Sequence, residues 1–162
     1  MWAWAGRRGL VTIDWIHLVH VVAAMVWVGG GVVLMLVGRR AQSSPDPKAI
    51  GEFARTLRYV GLRALMPAVI LVLVSGVWMV AANAAWKFTQ VWVLLALGLF
   101  GIAFLIGAVY LSGVGIQLAR AAEASDADGA LVRLISRWLV GYGLVLVTLL
   151  VAAWDMVFKP GL

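Results

Sequence analysis

The composition of this 162-residue chain excludes a water-soluble fold. Hydrophobic residues make up 64% of the chain and charged residues 12%, whereas soluble domains have about 45–50% and about 25%. Because this proportion of charged residues cannot cover the surface of a protein in water, lipid must be the main solvent. The net charge of +6 is typical of the cytoplasmic loops of membrane proteins, and we expect no nucleic-acid partner. The absence of cysteine excludes disulfides, thiolate metal sites and cysteine nucleophiles.

Four apolar stretches meet the length of about 20 residues that is needed to cross a hydrocarbon core about 30 Å thick. Lipid cannot satisfy backbone polar groups, so each stretch must be a helix. We therefore predict an all-α fold, an integral membrane four-helix bundle with one interfacial amphipathic helix. The length allows a single transmembrane domain over residues 1–162. The predicted spans are residues 15–37, 65–82, 91–118 and 131–158.

Residues 47–63, between the first two spans, form the amphipathic segment. Asp46 and Pro47 are suited to be its N-cap and first helical residue. The pattern predicts a helix that lies on the membrane and leads into the second span, with Pro67 kinking the junction. It is typical of a basic cytoplasmic loop, and a regulatory lipid-binding patch is the alternative. The apolar side holds Ile50, Phe53, Ala54, Leu57 and Val60, and the charged side holds Lys48, Glu52, Arg55 and Arg58.

Basic residues are divided unequally between the two sides of the membrane. The positive-inside rule places the richer side in the cytoplasm and both termini outside, in what we predict to be the bacterial plasma membrane. The apolar run after Arg7 and Arg8 is too long for a signal peptide and is expected to be a retained helix. The richer side holds Arg39, Arg40, Lys48, Arg55, Arg58, Arg63, Arg120, Arg133 and Arg137, and the poorer side holds Arg7, Arg8, Lys87 and Lys159.

The middle of all four spans contains no Asp, Glu, Lys, Arg or His, which disfavours an ion pump or an ion-coupled transporter. Polar and soft side chains gather at the outer ends instead. His17 and His20 are three residues apart and share one helix face, and His20 lies roughly 7–8 Å inside the boundary at Trp15. The predicted outer cluster consists of Asp14, His17, His20, Met79, Asn83, Asp155, Met156 and Lys159.

Three interpretations of the two histidines stay open. They hydrogen-bond neighbouring helices or interfacial water, or one of them binds haem iron between the helices. In the third interpretation they join Met79 and Met156, whose thioethers suit Cu(I), in a copper site. Two histidines on one face of one helix cannot take opposite axial positions of the same iron. A haem would therefore take its other axial ligand from elsewhere, or from water.

Three short motifs stand out in the chain, at residues 15–20 (WIHLVH), 27–31 (WVGGG) and 156–161 (MVFKPG). In these motifs the chain resembles small bacterial membrane proteins related to the copper-resistance protein CopD and to HemJ-type protoporphyrinogen oxidases. The resemblance implies that His20 takes part in haem b binding or catalysis and that Lys159 belongs to the same region. The Leu-Pro-Arg of the HemJ-type pattern is absent from residues 31–37. This departure counts against the oxidase activity more than against a cofactor.

Glycines follow the first-helix histidine at the depth where a porphyrin edge would lie. Gly29, Gly30 and Gly31 let a neighbouring helix or a flat macrocycle approach the backbone. Trp27 lies beside them, two turns inward from His20. On the third span, Gly98, Gly101 and Gly107 form a similar face that allows close approach, and helix packing is the favoured interpretation of it.

We therefore predict a haem-b-associated membrane redox or haem-pathway protein with His20 as the ligand of the haem iron. Its predicted cofactor-binding residues are His17, His20, Trp27, Gly29 and Lys159. The outer residues Asp14, His17, Asp155 and Lys159 would handle propionates or protons, and Asp155 could instead pair with Lys159 one helical turn later.

Two other functions remain as alternatives. One is a noncatalytic accessory or scaffold protein that binds a second copy or another membrane protein through its glycine faces. The other is a copper-handling protein that uses His17, His20, Met79 and Met156. Membrane lipids are expected partners in every case, and the sequence points to no particular catalytic residue.

Overall fold

The structure, a computed structural model, describes the backbone of residues 3–44, 48–123 and 128–161 and the side chains of residues 14–44, 48–123 and 129–161. The described chain is helical apart from short connections, and it contains no strand. Two π-helical turns interrupt the helices, the first at Gly61–Leu65 and the second at Ile106–Leu111. The α-helices are α1 (Ala3–Gln42), α2 (Lys48–Val60), α3 (Met66–Ala82), α4 (Val91–Leu105), α5 (Ser112–Glu123) and α6 (Asp128–Phe158).

Four continuous helical rods are long and apolar enough to cross a membrane, which confirms the predicted four-helix fold. Much of their outer surface is apolar, with valine and leucine side chains exposed along every rod. That surface suits lipid, in which backbone groups are satisfied within each helix. The rods are longer than the predicted spans, because charged helical turns continue each apolar stretch. They run over Asp14–Gln42, Lys48–Ala82, Val91–Glu123 and Gly129–Phe158.

The predicted amphipathic helix forms as α2, but its apolar face packs on the protein. Phe53 is 1% exposed, and its ring meets the Trp138 indole edge-on at a centroid distance of 5.5 Å. Ile50 and Ala54 are buried in the same core. At its end, α2 runs through the first π turn directly into α3. Asp46 and Pro47 lie outside the described residues.

The junction predicted to kink at Pro67 is the first π turn. Its wider coil lets the Met66 N–H reach back five residues to the Gly61 carbonyl. Proline has no N–H to donate and its ring crowds the carbonyl four residues earlier. A π turn just before Pro67 therefore absorbs the missing hydrogen bond without breaking the rod. In the second π turn, Ser112 Oγ donates a 3.2 Å hydrogen bond to the Gly107 carbonyl.

The first and fourth rods form the centre of the bundle. The first packs on α3 and α6, whereas the third rod packs chiefly on α6. The second and third rods meet through α2 and α5, while α3 and α4 hardly touch. The end at which α2 and α5 meet is called the basic end here, after Arg58 and Arg120. The opposite end, which holds the α3–α4 connection and residues 159–161, is called the C-terminal end.

A close approach between α1 and α6 fixes the middle of the bundle. The Tyr142 hydroxyl donates a 3.2 Å hydrogen bond to the Trp27 carbonyl. A Cβ atom on Gly31 would overlap the Tyr142 ring, so this position accepts only glycine without rearrangement. The expected close approach at the first-helix glycines is thus made by a tyrosine of the protein itself.

Candidate functional site

His20 is buried between α1 and α3, with 7% of its surface exposed. Its Nδ1 atom lies 2.9 Å from Ser75 Oγ. The next residue of α3 has no side chain, and a Cβ atom on Gly76 would stand 3.2 Å from His20 Cε1. The serine and glycine together give the imidazole a hydrogen-bond partner and space to lie against α3.

The hydrogen bonds of Ser75 favour one tautomer of His20. Ser75 Oγ donates to the Leu71 carbonyl, and Val72 O lies 3.3 Å from the same hydroxyl. A hydroxyl has one proton, so while that proton points to a carbonyl the serine oxygen accepts from His20. In this arrangement Nδ1 bears the hydrogen and Nε2 keeps its lone pair. An imidazole in this state binds metal through Nε2 while its other nitrogen is held by a neighbour.

The other predicted metal ligands differ from His20 in burial. His17 and Asp14 are exposed, and Met79 and Met156 are half-buried. Within the described residues, no group of three or more His, Cys, Asp or Glu side chains is placed to hold a metal ion. The structure thus offers one buried imidazole nitrogen, without a second histidine positioned to oppose it.

Lys159 ends the last helix in a left-handed conformation. Its φ is +43°, and its N–H donates a 2.8 Å hydrogen bond to the Asp155 carbonyl, which closes the final turn as glycine commonly does. The ammonium lies 4.5 Å from the centroid of the Trp86 ring and 5.4 Å from that of Trp92. Cation–π contact at this distance accounts for its position.

The carboxylate of Asp155 is buried without a partner. The residue is 1% exposed, and neither carboxylate oxygen has a hydrogen-bond partner among the described residues. The side-chain pair with Lys159 that the spacing allowed does not form, because the ammonium lies over the indoles. The Trp92 indole nitrogen, at the same end of the bundle, is likewise buried and unpaired. Such groups are uncommon and call for a functional or ligand-based explanation.

Trp27 and Gly29, the remaining predicted site residues, lie on different faces of α1. Trp27 is 5% exposed and meets the Phe100 ring edge-on at 5.8 Å. Gly29 is exposed, and no atom would come within 4 Å of a Cβ placed there. Gly98, Gly101 and Gly107 have equally open surroundings. The tryptophan is therefore part of the core, whereas these glycines present bare backbone.

A second candidate site, not anticipated from the sequence, is a cavity of about 620 Å³ between the second and third rods. Both π turns line it, and Trp27, Trp138 and Tyr142 form its inner wall. Arg58, Arg120 and Glu123 line it at the basic end. A sequence pattern could have indicated it, since small residues recur four or eight apart on one face of the third rod. They are Ala103, Gly107, Gly115 and Ala119, all of which line the cavity.

The chain belongs to the family described as Predicted integral membrane protein (DUF2269), whose model matches residues 14–160. The match covers all four membrane-crossing rods. It establishes a small integral membrane protein and assigns no activity. No curated protein and no solved structure matches the chain at a significant level.

Proposed function

We propose that the protein is a haem-b-associated membrane redox or haem-pathway protein in which His20 binds the haem iron through Nε2. The arrangement of His20, Ser75 and the Leu71 carbonyl is the main support. It leaves the Nε2 lone pair available and holds the ring from its other nitrogen. Ligand histidines are usually oriented in this way by a neighbouring acceptor. The resemblance of residues 15–20 and 27–31 to the HemJ-type and CopD-related pattern supports the same assignment.

Each of the remaining residues has a limited role in this proposal. Bound haem b supplies one-electron chemistry at its iron. Ser75 fixes the imidazole tautomer, and Gly76 leaves room for the ring. Lys159 can offer its ammonium to a propionate carboxylate if it leaves the Trp86 indole. Asp155, whose carboxylate lacks a partner, is suited to take up or release a proton.

The proposed orientation places the basic end in the cytoplasm and both termini outside a bacterial plasma membrane. It rests on the unequal distribution of lysine and arginine. Ser43, which follows α1, is then cytoplasmic. A Ser43→Cys variant should resist labelling by an impermeant thiol reagent in intact cells and react after permeabilisation. Labelling in intact cells would reverse the orientation.

The absorption spectrum of protein purified from haem-replete cells tests the cofactor. We expect a Soret band that disappears in His20→Ala and persists in His17→Ala, since His17 is exposed and replaceable by solvent. Ser75→Ala keeps the ligand but frees its ring, so haem affinity should fall about 10–100-fold. Equal haem content in His20→Ala and the parent protein would refute the assignment. A colourless protein that contains copper would favour the copper alternative with His17, Met79 and Met156.

A noncatalytic scaffold is the second candidate, and the open glycines of α4 favour it. No atom would approach within 4 Å of a Cβ on Gly98 or Gly101, so another helix could pack closely there. This function predicts a colourless, metal-free protein that associates in mild detergent. Gly98→Leu should then disperse the complex, while Gly61→Leu, at an equally open glycine of the first π turn, should not.

A further inference from the structure

We propose that the cavity between the second and third rods binds one anionic phospholipid, with the phosphate at Arg58 and Arg120 and an acyl chain along the cavity. This site is distinct from the proposed haem site, because His20 does not line the cavity. It adds a lipid ligand to the protein whether or not haem is bound.

The shape of the cavity fits an acyl chain. Along the second rod it extends from Ala54 to Val69, which is about 22 Å at a helical rise of 1.5 Å per residue. Its volume is about 620 Å³, and its walls are mainly apolar side chains. The cavity therefore follows the second rod over a length that an extended acyl chain can fill.

The cavity opens sideways into the surrounding lipid. The two helices that flank it, α3 and α4, hardly touch. Leu62, Phe104 and Ile116 line the cavity and are more than 40% exposed, at 59%, 41% and 53%. A lipid chain can thus enter from the bilayer without crossing water. The apolar walls favour hydrocarbon over water inside.

The charges at the basic end select an anionic headgroup. Arg58 comes from α2 and Arg120 from α5, so two guanidinium groups converge on the cavity from different helices. Both are exposed, and neither has a hydrogen bond or ion pair within the described residues. Among the described residues that line the cavity, Glu123 is the only carboxylate, so the two arginines leave an excess positive charge there. Planar guanidinium groups are well suited to phosphate oxygens.

The π turns leave space in both cavity walls. Gly61 begins the first π turn and Gly107 lies in the second. A Cβ atom at either position would meet nothing within 4 Å. Interruptions of this kind are frequent at functional sites. Here they widen the two rods opposite each other, so that the protein leaves unfilled a volume that a lipid chain can occupy.

Native mass spectrometry tests the proposal with protein exchanged into equal amounts of phosphatidylglycerol and phosphatidylcholine that carry the same acyl chains. We expect one tightly held phosphatidylglycerol on the parent protein. Arg58→Gln with Arg120→Gln should lower the preference for phosphatidylglycerol about tenfold or more. Gly107→Phe, which fills the cavity, should remove either lipid. The matched controls are Arg133→Gln, at an exposed arginine outside the cavity, and Gly113→Phe, at an open glycine outside it.

Several results would overturn the proposal. Unchanged lipid retention in the double arginine variant would do so, and this variant alters exposed side chains that the fold does not need. Equal losses in Gly107→Phe and Gly113→Phe would show a general effect of the added ring. Displacement of phosphatidylglycerol by millimolar inorganic phosphate would identify a phosphate site instead of a lipid site. Loss of the lipid in His20→Ala would show that the two sites are not separate.

Discussion

The two halves of the bundle differ in whether their buried groups have partners. Towards the basic end, Phe53 packs on Trp138, Trp138 stacks on Tyr142 at 5.2 Å, and the Tyr142 hydroxyl reaches the Trp27 carbonyl. Towards the C-terminal end, Asp155 and the Trp92 indole nitrogen are buried without a hydrogen-bond partner in the described part of the chain. The half that contains α2 is thus a packed aromatic core, whereas the other half retains polar groups that packing has not satisfied.

This difference predicts that substitutions in the two halves have opposite effects on stability. Removing a packed aromatic ring leaves a cavity, which costs free energy in any solvent. A buried polar group without a partner already costs free energy in the folded state. The aromatic half should therefore lose stability on substitution, and the C-terminal half should lose function while gaining stability.

Substitution of Phe53 should have the largest effect on stability. Phe53→Ala removes a ring that is 1% exposed, which should lower the free energy of unfolding by about 3–5 kcal/mol. Tyr59→Ala, on the same helix but 66% exposed, is the matched control and should cost less than about 1 kcal/mol. Unfolding in mixed detergent micelles, followed by circular dichroism, measures both. Equal effects would mean that the apolar face of α2 is not buried in the protein.

Gly31 should come next. Gly31→Ala forces the Tyr142 ring away from α1 and breaks its hydrogen bond to Trp27, at a cost of about 1–3 kcal/mol. Gly29→Ala, two residues earlier at an open position, should be neutral or slightly stabilising, because alanine favours the helix. The same unfolding assay compares them. If Gly29→Ala also lowers haem content, then a bound group lies against Gly29, as the sequence predicted.

Asp155 should show the opposite sign. Asp155→Leu removes two buried oxygens that lack partners, and should raise the free energy of unfolding by about 1–2 kcal/mol. Asp14→Leu, at an exposed carboxylate of α1, should leave the free energy of unfolding nearly unchanged. We expect the stabilised Asp155→Leu protein to lose redox activity or haem occupancy. Destabilisation by Asp155→Leu would reveal a partner for this carboxylate and remove the contrast between the two halves.

Lys159 should have the smallest effect on stability. Lys159→Gly relieves a left-handed backbone at a gain of about 1 kcal/mol and loses cation–π contact worth about 0.5–1 kcal/mol, so the net change in the free energy of unfolding should be close to zero.

Haem occupancy shows whether Lys159 only anchors the helix end or also binds the cofactor. If the ammonium binds a propionate, Lys159→Arg should keep most of the haem and Lys159→Met should lose it, about ten- to hundredfold. Equal occupancy in Lys159→Met and the parent protein would leave Lys159 as an anchor.

The fold could be predicted because lipid imposes it. Apolar stretches of spanning length must be helical in a membrane, and the apolar period of residues 47–63 predicted the amphipathic helix. That period could not show what covers the apolar face, since lipid and protein both accept Phe53. Only the continuity of α2 with α3 through the first π turn places this face against Trp138.

The candidate site was predictable in its residue types and not in its contacts. The burial of His20 could be inferred from its depth in the first span, but its partner Ser75 lies on another helix and has no distinctive sequence context. Lys159 is four residues after Asp155, which suggests an ion pair, yet the ammonium lies over the indole of Trp86 instead. Long-range contacts of this kind depend on how the helices pack.

Ligand replacement at His20 is the most direct test of the central claim, that this imidazole binds haem iron. His20→Gly removes the side chain and leaves a space beside Gly76 and Ser75 that free imidazole can enter. The purified variant, supplied with haem, should lack the Soret spectrum of the parent protein and recover it when imidazole is added. His17→Gly should show the spectrum of the parent protein without imidazole, so that added imidazole does not change it. A parent-like spectrum from His20→Gly without imidazole would contradict the claim.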